Sequence, residues 1–238
     1  MVSIAIETSC RQGGVALGLG DELAAEAGFD ASARHGVQLV ARLADLLAGA
    51  SLRPADVAEV YVSVGPGSFT GTRIGVTVAR TLAQAIPHVR CVAVPSPAAV
   101  AEGAAALPWE HLGVVLDARE GLVHATLFDR PRPDEPPTPR DEGALLTPAE
   151  LLARAPRPLT LLGEGLAHHD LSGEGVTLPP PASADRPPHL PVAAGVWRVG
   201  RRMARAGRFT DPARLLPAYS RKPEAVRLWE KDRGAAEP

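Results

Sequence analysis

Cysteine and aromatic residues are scarce in this chain, and positive charge is not in excess. Only Cys10 and Cys91 occur in 238 residues, so a disulfide framework is excluded and a reducing cytoplasm is the expected setting. No apolar run approaches the ~20 residues that span a bilayer. The opening MVSIAIETSC lacks a basic n-region and a small-residue cleavage site, so neither export nor membrane contact is expected. The 25 Lys and Arg against 27 Asp and Glu leave a net charge of −2. No overall field therefore draws in nucleic acid, and any RNA contact needs a local patch or a partner.

What the chain does contain is proline: 24 residues against 4% aromatics. It gathers in Pro131–Pro139 and again between Pro179 and Pro191. Proline lacks a backbone donor and fixes φ, so both stretches read as surface loops. The remaining balance, 45% hydrophobic and 22% charged, is that of a globular protein of one large or two modest domains.

Alternating apolar stretches at Val2–Thr8, Val15–Leu19 and Leu23–Phe29, separated by glycine turns, predict a three-stranded meander. A helix is predicted from about Arg34 to Gly49, with Leu39, Val40, Leu43, Leu46 and Leu47 on its buried face. Further strands are expected at Val57–Val64 and Val89–Val94, and helices at about Gly71–Ala85 and Ser96–Ala106. The second half repeats the theme more briefly, with strands at Leu112–Leu116, Leu122–Phe128 and Leu159–Leu162 and a helix over Val192–Ala206. This order predicts an α/β protein of two ribonuclease-H-like lobes, residues 1–106 and 107–238, ending in a charged disordered tail over Lys231–Pro238.

The segment from Gly65 to Arg73, GPGSFTGTR, joins a strand to a helix within a few residues. Gly65 and Gly67 permit positive φ, Pro66 stiffens the turn, and Ser68 or Thr70 can cap the helix that follows. Phe69 lies between the two candidate caps. The segment reads either as a phosphate cradle of helix N-terminal N–H groups with Arg73 nearby, or as a tight connection whose glycines serve packing. It has neither the Gly-Lys pair of a Walker A loop nor the GxGxxG spacing of a dinucleotide site.

GPGSFTGTRIG resembles the signature of the TsaB (YeaZ) family. IAIETS, RHGVQLV, VLDAREGLVHATLF and LPAYSR resemble other family segments in the same order. Glu7 stands where the family usually has Asp. Glu120, Leu122 and His124 stand where it usually has Arg, Glu and Tyr. The resemblance implies an actin-like, hsp70-like fold acting as a non-catalytic subunit in threonylcarbamoyl transfer to tRNA adenosine. The implied partners are a TsaD-type catalytic subunit and a TsaE-type ATPase, with homodimerisation when alone and tRNA contacted only through the complex. No catalytic residue and no cofactor are expected. The sister TsaD family holds a metal through two histidines four residues apart, where this chain has Ser96 and Val100, so no metal site is expected.

Two helix faces suit a partner. Val37, Ala41, Ala44 and Ala48 form a second, small-residue stripe on the first helix. Gly71, Gly75 and Ala79 recur at four-residue intervals on the second, which would let another helix come close. Asp117 and Arg119 read as a phosphate-orienting pair or, more simply, as a turn salt bridge. Arg198, Arg201, Arg202, Arg205 and Arg208 share a helix face and read as a solvated surface or as tRNA phosphate contacts. The competing function class is an actin-like nucleotide-dependent enzyme or a glycoprotease-like hydrolase.

Overall fold

The opening meander forms as its alternation dictates. Strands β1 (Val2–Glu7), β2 (Gln12–Leu19) and β3 (Glu22–Asp30) pair antiparallel, with Ile4 opposite Leu17. The computed structural model describes residues 1–30, 35–178 and 192–221 with Val226 and Trp229. The proline stretch between Pro179 and Pro191, the start of the first helix at Arg34 and the tail Lys231–Pro238 lie outside the described residues.

Strands β4 (Val57–Gly65) and β5 (Arg90–Pro95) add parallel to β1, giving the sheet order β3-β2-β1-β4-β5. Successive strand residues face opposite sides, so Ile4, Ile6, Val15, Leu17, Val60 and Val62 build one core. It is covered by α1 (His35–Gly49) and α2 (Phe69–Ala85). Ala5, Ala16, Tyr61, Val92 and Val94 face the other way, onto α3 (Ser96–Gly103) and α5 (Ala193–Arg205). The sequence assigned α5 to the second lobe, but the helix returns to the first sheet. Val196 and Trp197 are buried there, and the Trp197 indole Nε1 donates to Ser3 Oγ at 2.9 Å.

The second sheet runs β11-β10-β6-β7-β8, with β9 also on β7. Its strands are β6 (His111–Asp117), β7 (Val123–Asp129), β8 (Thr138–Pro139), β9 (Ala144–Leu146), β10 (Leu159–Leu162) and β11 (Val176–Thr177). One face packs on α4 (Pro148–Arg154) through Leu151, and the other packs Leu112, Val114 and Phe128 on Val100 and Ala101 of α3. Because Ala99 of α3 belongs to the first lobe's core, this short helix is shared by both lobes. The architecture is two ribonuclease-H-like lobes of the actin-like fold. Boundaries shift little: α2 begins at Phe69, and α3 stops at Gly103.

Candidate functional site: the motif loop, the interlobe cleft and the helical face

The loop after β4 is shaped by what it packs against. Gly65 has φ +104°, and a Cβ there would sit 2.4 Å from the Ala218 carbonyl oxygen. The Ala218 N–H in turn donates to Val64 O at 2.7 Å. The Ser68 N–H donates to Ser9 O at 2.6 Å, and Ser68 Oγ caps α2 by accepting from the Gly71 N–H at 3.2 Å. A Cβ on Gly71 would lie 1.9 Å from Thr8 O, and one on Gly75 2.4 Å from Thr8 Oγ1. The N-terminus of α2 is thus filled by the chain's own Thr8–Ser9 backbone, and the motif's glycines have packing work at every one of these contacts. Pro66 is half-buried and Thr70 exposed. Arg73 lies with its guanidinium 5.2 Å from the Phe69 ring centroid, outside the cleft.

This geometry corrects one expectation. Gly71 and Gly75 are buried against Thr8 and Ala79 in the first core, so none of them is open to a second molecule. The reason is the approach of α2 to Thr8, which only a Cβ-free turn of helix tolerates. On α1 the stripe is outward: Ala41, Ala44 and Ala48 are exposed, while Leu39, Leu43 and Leu47 are buried. Val37 is a position of the same helix. Val40, expected on the buried face, is 55% exposed and extends this outer stripe instead. Leucines four apart already cover the sheet, so Val40, one step round, faces out.

Beneath the motif lies a buried acid. Glu7 is fully buried, and its Oε1 accepts from the Ser9 N–H at 2.5 Å and from Ser9 Oγ at 2.6 Å. Burial pushes its carboxyl up to about 7, with the Ser9 and Ser63 hydrogen bonds pulling the other way. Ser63 Oγ lies 2.6 Å from Ser96 Oγ, so Ser96 closes a buried hydroxyl pair and Val100 belongs to the core. Among the described residues no group of three His, Cys, Asp or Glu side chains is placed to hold a metal ion.

A cleft of about 810 Å³ separates the lobes, walled by Phe69 and Tyr219 on one side and by Asp117, Arg119, Glu164 and His168 on the other. Asp117 Oδ1 accepts from the Arg119 N–H at 3.0 Å and lies 3.0 Å from His169 Nε2. Asp117 therefore holds its own turn and His169, rather than the Arg119 side chain. Burial works against ionisation of Asp117, but the His169 and backbone hydrogen bonds outweigh it and hold the carboxyl below its usual range. Glu164 moves the opposite way, raised by burial and by the nearby Asp117. Arg221 clamps the hairpin, donating to Ala118 O and pairing with Glu120 Oε2 at 2.5 Å. The sequence signalled this clamp only as LPAYSR; neither the Phe69–Tyr219 stack, with centroids 4.8 Å apart, nor the Arg221 contacts are readable from spacing.

The basic stripe on α5 is largely neutralised. Arg201 and Arg205 both pair with Asp21, and Arg202 pairs with Glu102 at 2.6 Å. Arg198 and Arg208 are exposed. Three of the five arginines tie α5 to first-lobe carboxylates, so the stripe is chiefly an internal fastening.

The family described as TsaD: tRNA N6-adenosine threonylcarbamoyltransferase matches residues 29–130. The tRNA threonylcarbamoyladenosine biosynthesis protein TsaB of Bacillus subtilis (strain 168) is 28% identical over 234 residues, 96% of this chain and 98% of that protein. The chain is thus similar to a TsaB over nearly its whole length. The fold agrees: YeaZ from Pseudomonas aeruginosa superposes with a TM-score of 0.77 at 22% identity, over 92% of this chain and all of that one. A second P. aeruginosa structure, an uncharacterized protein with similarity to peptidase YEAZ, gives 0.79 at 22% identity, over 92% of this chain and 99% of that one. These similarities cover 92% to 96% of the chain. Among its described residues no helix is long and apolar enough to cross a membrane.

Proposed function

We propose that the chain is a non-catalytic subunit in the threonylcarbamoylation of tRNA adenosine, acting as the partner of a TsaD-type catalytic subunit. A TsaE-type ATPase and the tRNA join through that complex, and the chain pairs with itself when alone. The observation that carries the reading is the outward stripe Val40, Ala41, Ala44 and Ala48 on a chain of which 96% aligns with a TsaB. Small side chains on an exposed helix let a second helix approach closely. Support also comes from Ser96 and Val100, which are consumed by the core at the positions where the sister family is expected to hold its metal. An isologous pair through this face would be the two-fold form of the same contact.

The test is reconstitution with the TsaD-type and TsaE-type proteins of the same genome, ATP, threonine-derived donor and tRNA. Modification is expected to require this chain and to be absent from the purified chain alone. Activity from the chain alone, or full activity without it, overturns the subunit reading. Calorimetry of the isolated chain with ATP and Mg²⁺ separates it from a nucleotide-dependent enzyme, which would bind with a clear heat.

A further inference from the structure

The outward side of α2 differs in character from the alanine stripe of α1. Its 17 residues include Arg73 and Arg80 and no Asp or Glu. Seven residues apart, the two arginines are separated by about 10.5 Å along the axis. Both line a groove of about 340 Å³ with Thr77, Thr81 and Tyr219, and no carboxylate belongs to its lining. At one end stands the Phe69–Tyr219 stack, with Phe69 46% and Tyr219 41% exposed and Leu216, three residues before Tyr219, 62% exposed. Several arginines elsewhere are neutralised internally: Arg90 by Glu59, Arg201 and Arg205 by Asp21, Arg202 by Glu102, Arg221 by Glu120. Neither Arg73 nor Arg80 forms an ion pair among the described residues. Two guanidinium groups with no ion pair among the described residues, beside exposed aromatic rings, have the composition of a binding hot spot.

We propose that this groove seats a carboxylate-bearing segment of a different protein chain, not a second copy of this one. The inference rests on the reading that the α1 stripe faces a TsaD-type partner, and it assigns the chemistry of that partner where it reaches the neighbouring outer side of α2. A second copy brings the same two arginines, and the neighbouring α1 offers only Asp45, already 3.6 Å from Arg42. Self-pairing that brings the two grooves together would therefore oppose like charges, an effect screened over about 8 Å at physiological salt. A partner with acidic residues across the groove gains where the copy loses, and that difference directs the chain from self-association to heteromeric assembly. A nucleic-acid strand fits less well, because two arginines on a chain of net charge −2 do not make a cationic track.

The experiment compares wild type with the pairs Arg73→Glu/Arg80→Glu and Arg73→Gln/Arg80→Gln in the full chain. Binding to the TsaD-type subunit is measured by calorimetry, and self-association by sedimentation, each at about 50 and 300 mM salt, with thermal melting as the folding control. Wild-type heteromeric affinity is expected to fall with salt while self-association tightens. The Glu pair is expected to weaken the partner complex more than tenfold and the Gln pair less, with melting unchanged. Glu-pair affinity within twofold of wild type overturns the inference and leaves the subunit reading standing. So does loss of tRNA stem-loop binding with the partner complex intact, which would assign the groove to RNA. Should wild type bind no TsaD-type subunit at all, the subunit reading falls first. Self-association that weakens as salt rises would then overturn the groove inference as well.

Discussion

Helices α1 and α2 lie side by side on one face of the first sheet, and each carries a row of small residues at helical spacing. The rows face opposite ways: Ala41, Ala44 and Ala48 look outward, while Gly71, Gly75 and Ala79 are buried in the chain's own interior. In α1 the leucine row Leu39, Leu43 and Leu47 takes the sheet and leaves the alanines outside. In α2 Thr8 comes so close that a Cβ at Gly71 or Gly75 would collide with it. A row of small residues signals close approach; what approaches is decided by which neighbouring row supplies larger apolar groups.

The strongest way to break this contrast is Gly71→Val. Its Cβ would meet a backbone oxygen at 1.9 Å, which no rotamer change relieves. We expect a loss of about 3 kcal/mol or more, at the high end of overpacking, in urea unfolding. A wild-type midpoint would mean that α2 does not sit on Thr8 as described.

The second concerns the acid at the end of β1, on which α2 rests. The folded carboxyl of Glu7, at about 7, lies above the ordinary value of 4.5. Below about pH 4.5 both folded and unfolded states hold the proton and no penalty applies. Between about 4.5 and 7 the unfolded chain ionises first, so stability falls as pH rises and then levels off. The span corresponds to about 3 kcal/mol. Glu7→Gln keeps an acceptor for Ser9 and removes the charge. Melting is expected to rise by several degrees at pH 8, little at pH 4.5, with a flatter slope between. An equal rise at both pH values would assign the effect to packing.

Ser68→Ala is expected to cost about 1 kcal/mol by removing the cap on the Gly71 N–H. Ser68→Asp should restore most of it, because an anionic cap suits the positive end of α2. A cost confined to Ala, with Asp near wild type, separates capping from the Ser9 contact, which uses the backbone of residue 68.

Much of the first lobe was legible because its strands alternate and its helices are periodic over long stretches; β1 to β5, α1 and α2 fall within a few residues of expectation. What was missed is local or long-range. Helix α4 is seven residues long, too short for periodicity, although Thr147 and Glu150 form a capping box that the sequence displays as TPAE. The return of α5 to the first sheet, the pairing of Arg201 and Arg205 with Asp21 some 180 positions away, and the Tyr219 stack on Phe69 depend on chain closure. No spacing records them. Of the candidate site, the motif was visible, but its direction was not: glycines four apart look alike whether they admit a partner or the chain's own backbone.

The smallest stability effect belongs to the outward row, and it sharpens the contrast most directly. Ala44→Gln places a larger, helix-compatible side chain on an exposed position of α1. Surface changes of this kind stay within about 0.5 kcal/mol. Melting should therefore be unchanged, whereas Ala79→Gln, at a position with no exposed surface, should lose at least 2 kcal/mol through overpacking and an unsatisfied amide. If the alanine stripe is where a second helix seats, Ala44→Gln should also shift the mass in light scattering from dimer toward monomer and weaken the TsaD-type complex. The uncharged side chain leaves the α2 arginines untouched, so this result is independent of the salt response. Unchanged melting with unchanged association would move the contact off α1. Destabilisation by Ala44→Gln would show that the outward row is packed within the chain after all, and the two helices would no longer differ.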